Sequence, residues 1–241
     1  MGKIWVLQHN PIENLAAIAD ALESAALAWQ YVRTFRGEPV PRDMSNASAL
    51  IVMGGPMGVY ETDRYPYLRA EMKLVECAIR DRKPVLGVCL GSQLLAAALG
   101  AKVVKGRAME LGWHRVTLTP QGKADSLFRG LPDSFDAFHW HGDVFDLPRY
   151  AVALASSEQT PLQAFRYGDN AYGLLFHIEA TEESVGSMCR EFAADLKSGG
   201  IDGDKIVADT PDRIAKLSPI ADAVFTRWAN PILGSGSKAG A

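Results

Sequence analysis

Cysteine is scarce. Cys77, Cys89 and Cys189 are the three in 241 residues, and no two stand in a CxxC pair. So sparse and odd a set argues against a disulfide framework or a thiolate metal site, and points to a reducing compartment, the cytoplasm. No apolar run approaches the roughly 20 residues of a membrane span. The opening MGKIWVLQHN lacks a basic stretch followed by a long apolar core, so it does not read as a signal peptide. Neither sign of charge dominates: 25 Lys and Arg against 28 Asp and Glu leave a formal charge of −3. That gives no electrostatic case for nucleic acid or a membrane surface. No Walker A loop is present and no internal repeat, and no cofactor or metal is expected.

What is present is a large apolar fraction, 48% of the chain. Residues 3–7, 31–35, 49–53 and 85–88 read as short buried strands. Residues 14–29 and 67–80 carry apolar side chains at helical spacing, with Leu68, Met72, Val75 and Ile79 sharing one face of the second. Strands alternating with helices predict an α/β fold, its central sheet mostly parallel and covered by helices on both faces. After Gly100 the pattern changes. Residues 103–104, 113–118, 135–140, 151–155 and 162–167 read as strands of an antiparallel extension, and 171–176 as one more buried strand. A helix capped by Thr181 is expected over 181–196, and a loop over 198–204. A terminal helix is expected over 209–228, opened by Thr210 and Pro211. Ile214, Leu217, Ile220, Val224, Phe225 and Trp228 would share its apolar face, which is expected to pack on the chain's own sheet. The expected organisation is a domain over 1–198, a helical extension over 199–233 and a disordered tail over 234–241.

Residues 83–100, KPVLGVCLGSQLLAAALG, organise the rest. Strand, Gly-x-Cys-x-Gly and helix form a nucleophile-elbow layout with sulfur in place of a hydroxyl. Gly87 and Gly91 supply the small neighbours that a sharp turn needs. Cys89 then stands at a helix N-terminus, where unpaired N–H groups and the dipole favour a thiolate. The Leu90 N–H is aimed to receive an oxyanion.

A cysteine nucleophile wants a base and a group to orient it. Among five histidines, His177 follows a buried strand. If that strand is parallel to the one before Cys89, both residues lie on one sheet edge. Glu179, two residues on, points the same way in an extended segment and can hold the imidazole. Gly54-Gly55-Pro56 ends the third strand on the same edge. Pro56 has no N–H, so Gly55 is the second oxyanion donor. His9, after the first strand, is a further pocket-edge candidate.

In this order the three motifs, Gly-Gly-Pro, Gly-Val-Cys-Leu-Gly-Ser-Gln and Phe-His-Ile-Glu, resemble those of the class I (triad) glutamine amidotransferases, over roughly residues 3–190. The resemblance implies a flavodoxin-like fold, a Cys89–His177–Glu179 triad, and an oxyanion hole at Gly55 and Leu90. It also implies that Gln93 contacts the glutamine substrate. Ile178 stands where many members have proline. His141-Gly142-Asp143 resembles a segment of the branch nearest guanylate synthetase glutaminase domains, which makes His141 and Asp143 substrate-contact candidates.

Some readings compete. His139, His141 and Asp143 resemble part of a metallo-hydrolase H-x-H-x-D-H set, but Val144 stands where the last histidine should be. Residues 198–203, SGGIDG, come near an ATP-pyrophosphatase loop, lack its final serine, and read as a turn. The expected activity is hydrolysis of a γ-glutamyl amide, glutamine or a γ-glutamyl peptide, through a thioester. The alternatives are a glutaminase subunit feeding ammonia to a separate synthetase, a non-catalytic regulatory subunit of the same fold, or a cysteine hydrolase whose base is another histidine. Expected partners are a small γ-glutamyl substrate, a synthetase subunit under the first alternative, and a second copy of the chain should it form a homo-oligomer.

Overall fold

The computed structural model describes residues 2–235. Nine strands form one sheet in the order β2-β1-β3-β4-β9-β8-β7-β5-β6. The first half is parallel: β2 (Trp29–Arg33), β1 (Lys3–Gln8), β3 (Ala47–Val52), β4 (Val85–Val88) and β9 (Ala171–Leu174). The second half is antiparallel: β8 (Ala164–Tyr167), β7 (Val152–Ser156), β5 (Val103–Leu118) and β6 (Ser134–Phe145). Alternate residues of each inner strand feed different cores. Ile4 and Val6 of β1 join a cluster with α1 (Ala17–Ser24) and α7 (Gly203–Ser235), while Leu7 joins one with α2 (Tyr67–Arg80) and α3 (Leu90–Ala98). That two-sided burial is why these strands read as unbroken apolar runs.

Several elements depart from their sequence reading. The helix expected over 14–29 is only α1. A turn with Ala26 at φ 51° ends the helical region, and Trp29 belongs to β2. The second strand therefore starts earlier than residue 31, and Thr34–Arg36 form a short 3-10 turn. The segments 103–104 and 113–118 belong to the single long strand β5. Its register against β6 slips between Lys105 and Glu110, and exposed residues there break the apolar alternation. Thr181 caps α5 (Glu182–Glu191) through a reciprocal box with Ser184. The helix then breaks at Phe192, and α6 (Ala193–Gly199) follows. The expected domain boundary at 198 falls inside α6.

The terminal helix starts at Gly203, not at Thr210, and continues through Pro211, Pro219 and Pro231. An interior proline removes one helical hydrogen bond. Before the first two prolines a hydroxyl bonds the carbonyl four residues back: Thr210 Oγ1 to Ile206 O at 2.7 Å and Ser218 Oγ to Ile214 O at 2.8 Å. Leu217, Ile220, Val224, Phe225, Trp228 and Ile232 are buried against the sheet side that α1 also covers. Packing of this face holds the helix together despite its prolines. Residues 234 and 235 of the expected tail continue α7, and residues 236–241 lie outside the described residues. Among the described residues, no helix is long and apolar enough to cross a membrane.

Candidate active site

Cys89 sits at the end of β4 as the N-cap of α3, with φ 50° and ψ −109°. A non-glycine residue in that region is strained. The two glycines of the motif make the turn sterically available. A Cβ on Gly87 would strike the Gly91 carbonyl, and a Cβ on Gly91 would overlap the Val52 carbonyl of β3. The turn is tied down by Cys89 N–H donating to Leu174 O of β9 at 2.8 Å and by Ser92 Oγ donating to Cys89 O at 2.6 Å. Leu90 is the first residue of α3, where the backbone N–H has no intrahelical acceptor.

His177 follows β9 on the same edge. Its backbone exchanges hydrogen bonds with Phe138 of β6, at 2.7 and 3.3 Å. Its Nδ1 lies 2.6 Å from Glu179 Oε1, and its Nε2 has no hydrogen-bond partner among the described residues. The Cys89 thiol donates to Trp140 O at 3.6 Å. Burial would push the His177 pKa down, but the Glu179 charge, the Cys89 sulfur and the Glu179 hydrogen bond outweigh it and hold it well above the ordinary value.

A cleft of about 690 Å³ opens beside Cys89, lined by Gly55, Gln93, Trp140, His141 and Asp143 among others. A larger cavity, about 1010 Å³, lies near Lys3, Pro84 and Ala47 at the other end of the strands, away from the thiol. Gly55 packs so closely that a Cβ would come within 2.7 Å of Leu90 Cδ2. Gln93 is buried at the cleft wall. Asp143 stands near Tyr60, whose hydroxyl donates to its Oδ1 at 3.4 Å. Of the residues singled out in the sequence, Gly55, Cys89, Gln93, His141 and Asp143 line this cleft, Leu90 lies against Gly55, and His177 and Glu179 line a small neighbouring pocket that shares Glu13. His141, however, is also engaged away from the cleft: its Nε2 is 3.3 Å from both Glu110 Oε2 and Gln163 Nε2. Burial holds its pKa down at about 4, against the Glu110 charge.

The H-x-H-x-D idea changes composition. Among the described residues, donor atoms converge within 4.8 Å at Glu110, His139 and His141, and Asp143 is not in the group. These three could hold a cation. The Glu110 carboxylate is already hydrogen-bonded by Ser157 Oγ at 2.5 Å and Gln163 Nε2 at 2.8 Å, as befits a buried polar network.

Besides Glu110, two buried carboxyls near the cleft were missed from sequence. Glu71 lies inside the apolar face of α2 and pairs with His9 at 2.8 Å. Glu13, in the loop after β1, lines the cleft, and burial pushes its pKa up to about 7 against the charges of His177 and His9. A charged residue at a core-facing helix position was the available signal for Glu71; nothing local marked Glu13.

The chain matches the family "Glutamine amidotransferase class-I" over residues 11–194. It is 32% identical over 197 residues to the glutamine amidotransferase-like protein YfeJ of Salmonella typhimurium, covering 80% of this chain and 82% of that protein. It is 35% identical over 148 residues to the glutamine-hydrolyzing GMP synthase of Thermosipho melanesiensis, but covers only 27% of that protein. The crystal structure of a glutamine amidotransferase from Thermotoga maritima superposes with a TM-score of 0.86 at 33% identity, covering 95% of this chain and 98% of that one. One from Methylobacillus flagellatus gives 0.87 at 31%, covering 95% of each. Motif order, elbow geometry and overall likeness agree: the chain belongs to the class I glutamine amidotransferase family.

Proposed function

We propose that the protein hydrolyses the γ-amide of glutamine or of a γ-glutamyl conjugate, with Cys89 as nucleophile, His177 as general acid and base, and Glu179 as the group that orients His177. The observation that carries this reading is a cysteine on a strained elbow facing a buried His–Glu pair 2.6 Å apart. The Cys89 thiolate attacks the amide carbon, and the carbonyl oxygen gains the charge. The N–H groups of Gly55 and Leu90 receive it. His177 passes its Nε2 proton to the leaving nitrogen as the C–N bond breaks, which leaves a γ-glutamyl thioester. Water loses a proton to His177 and attacks the thioester. Glutamate leaves and the thiolate–imidazolium pair is restored. Gln93, His141 and Asp143 are proposed to line the bound substrate. A thiol nucleophile fits a reducing cytoplasm. We assign the chemistry to residues 1–198 and treat 199–233 as a packed extension.

The test is the purified protein alone with glutamine and a panel of γ-glutamyl amides, with ammonia or amine and glutamate measured. Release without ATP or any partner is expected. A second reading, a glutaminase subunit that supplies ammonia to a separate synthetase, is supported by the likeness to GMP synthase. A pure protein inert on the whole panel, yet with Cys89 alkylating normally, would favour it.

A further inference from the structure

His9 and Glu71 are buried at 2% and 0% exposure, and neither belongs to the Cys89–His177–Glu179 group. Glu71 stands among Leu68, Leu74, Val75 and Ala78 on the inward face of α2. A carboxylate there is costly unless paired. His9 pairs it, with Nε2 at 2.8 Å from Glu71 Oε2. The other ring nitrogen, Nδ1, lies 2.9 Å from the Gly54 carbonyl oxygen. A carbonyl can only accept, and a carboxylate accepts too, so the ring donates from both nitrogens. Burial alone would lower the His9 pKa; the Glu71 charge and hydrogen bond, the Gly54 carbonyl and the Glu13 charge together raise it.

The Gly54 carbonyl and the Gly55 N–H belong to one peptide plane. In a trans peptide they point in opposite directions, and no cis peptide occurs among the described residues. A Gly-Gly peptide has no Cβ on either side to resist rotation. The His9 bond to Gly54 O removes that freedom. Gly55 lines the cleft that holds Cys89, and a Cβ on it would lie 2.9 Å from His9 Cβ, so the ring's own residue backs the glycine.

We propose that His9, anchored by Glu71, is a positioning residue that locks the Gly54-Gly55 peptide with the Gly55 N–H facing the reacting carbonyl, so that the oxyanion hole is formed before substrate or partner arrives. This rests on Gly55 being an oxyanion donor in the proposed function.

The test compares wild type with His9→Ala. Because that change strands a buried carboxylate, it is paired with the double variant His9→Leu/Glu71→Leu, which removes the charges as a unit. Four quantities are read: kcat and KM for glutamine, the affinity of the γ-aldehyde analogue of glutamine, the rate of Cys89 alkylation by iodoacetamide, and the crystallographic orientation of the 54–55 peptide. The aldehyde needs the oxyanion hole to form its thiohemiacetal; iodoacetamide does not. Expected are a kcat loss of about 10²-fold, the usual effect of one lost oxyanion donor, and a like loss of aldehyde affinity. KM should stay within about threefold, alkylation should be unchanged, and the peptide should be rotated. A peptide in its original orientation overturns the proposal, as does a kcat loss matched by slower alkylation. If the wild type is inert on every γ-glutamyl amide, the proposed function fails on its own, and the peptide orientation in the variants still decides whether the lock exists.

Discussion

Glu13 should make this protein less stable in alkali than its fold requires. The residue is 8% exposed, and Oε2 is buried with no hydrogen-bond partner among the described residues. Oε1 and His177 Cε1 both border the space that a Cβ on Gly54 would enter. Burial raises its pKa from 4.5 to about 7; the charges of His177 and His9 lower it, and that of Glu179 adds to the rise. A carboxyl whose folded pKa lies above the unfolded one binds its proton more tightly when folded. Unfolding then releases protons, and stability falls as pH rises. Below the unfolded value of 4.5 the group costs nothing by this route; through the window from 4.5 to about 7 the cost accumulates, and above it the cost is complete. At 1.36 kcal/mol per pH unit the whole is about 3 kcal/mol. Glu13→Gln keeps the shape and removes the ionisation. Urea unfolding of both proteins from pH 4.5 to 8.5 should show the variant gaining about 3 kcal/mol on the wild type across the series. Thermal midpoints should diverge by roughly 10 °C over the same interval. Curves that stay parallel would refute the reasoning, because they would mean that Glu13 titrates alike in both states.

Other expectations follow from the site and the packing. Cys89→Ala should abolish amide hydrolysis and Cys89→Ser nearly so; a glutamine-analogue alkylator should mark Cys89, and labelling at Cys77 or Cys189 instead would contradict the assignment. Glu179→Gln should lose less activity than His177→Ala, since the carboxylate orients the ring and does not carry the proton; kcat measured on both settles it, with equal losses counting against. Gly91→Ala drives a methyl into the Val52 carbonyl and should cost about 3 kcal/mol or more; a melting curve like the wild type's would show that the elbow can open. Removal of α7 deletes Val224, Phe225 and Trp228 and uncovers the apolar residues clustered with them, Ile18 and Leu22 of α1 among them, so the shortened chain should bind a hydrophobic dye and lose cooperative melting, whereas a sharp transition would show the helix to be dispensable.

The parallel half of the sheet and the elbow were legible in the sequence because their signals are local. Val85 to Val88 is apolar on both faces, and Gly87, Cys89 and Gly91 state the turn by themselves. His177 and Glu179 needed one more step, the inference that their strand ends on the edge of Cys89. The pairing of β4 with β9 bears out that step. Less was legible where long-range packing overrides a local rule. Pro211 looked like a helix start, yet the helix runs through it because Trp113 Nε1 donates to Thr210 Oγ1 at 3.3 Å and the apolar face beyond is buried. Glu71 hid within an apolar face, since the residue that pairs with it lies 62 positions earlier. The ring of His141 is turned partly from the cleft by Glu110, a partner in the slipped stretch of β5 where the alternation had failed.

The bridge between Phe138 and His177 has a consequence for how the chain acquires its activity. β4 carries Cys89 near the middle of the sheet order, whereas β6, which bonds His177 and accepts from the Cys89 thiol, is the terminal strand. The sheet has to curl until its last strand arches over the end of β9 before the imidazole is seated. Such non-local closure is entropically slow. Refolding from urea should therefore regain far-ultraviolet ellipticity first, while hydrolytic competence lags, and the lag measures the time taken for β6 to arrive.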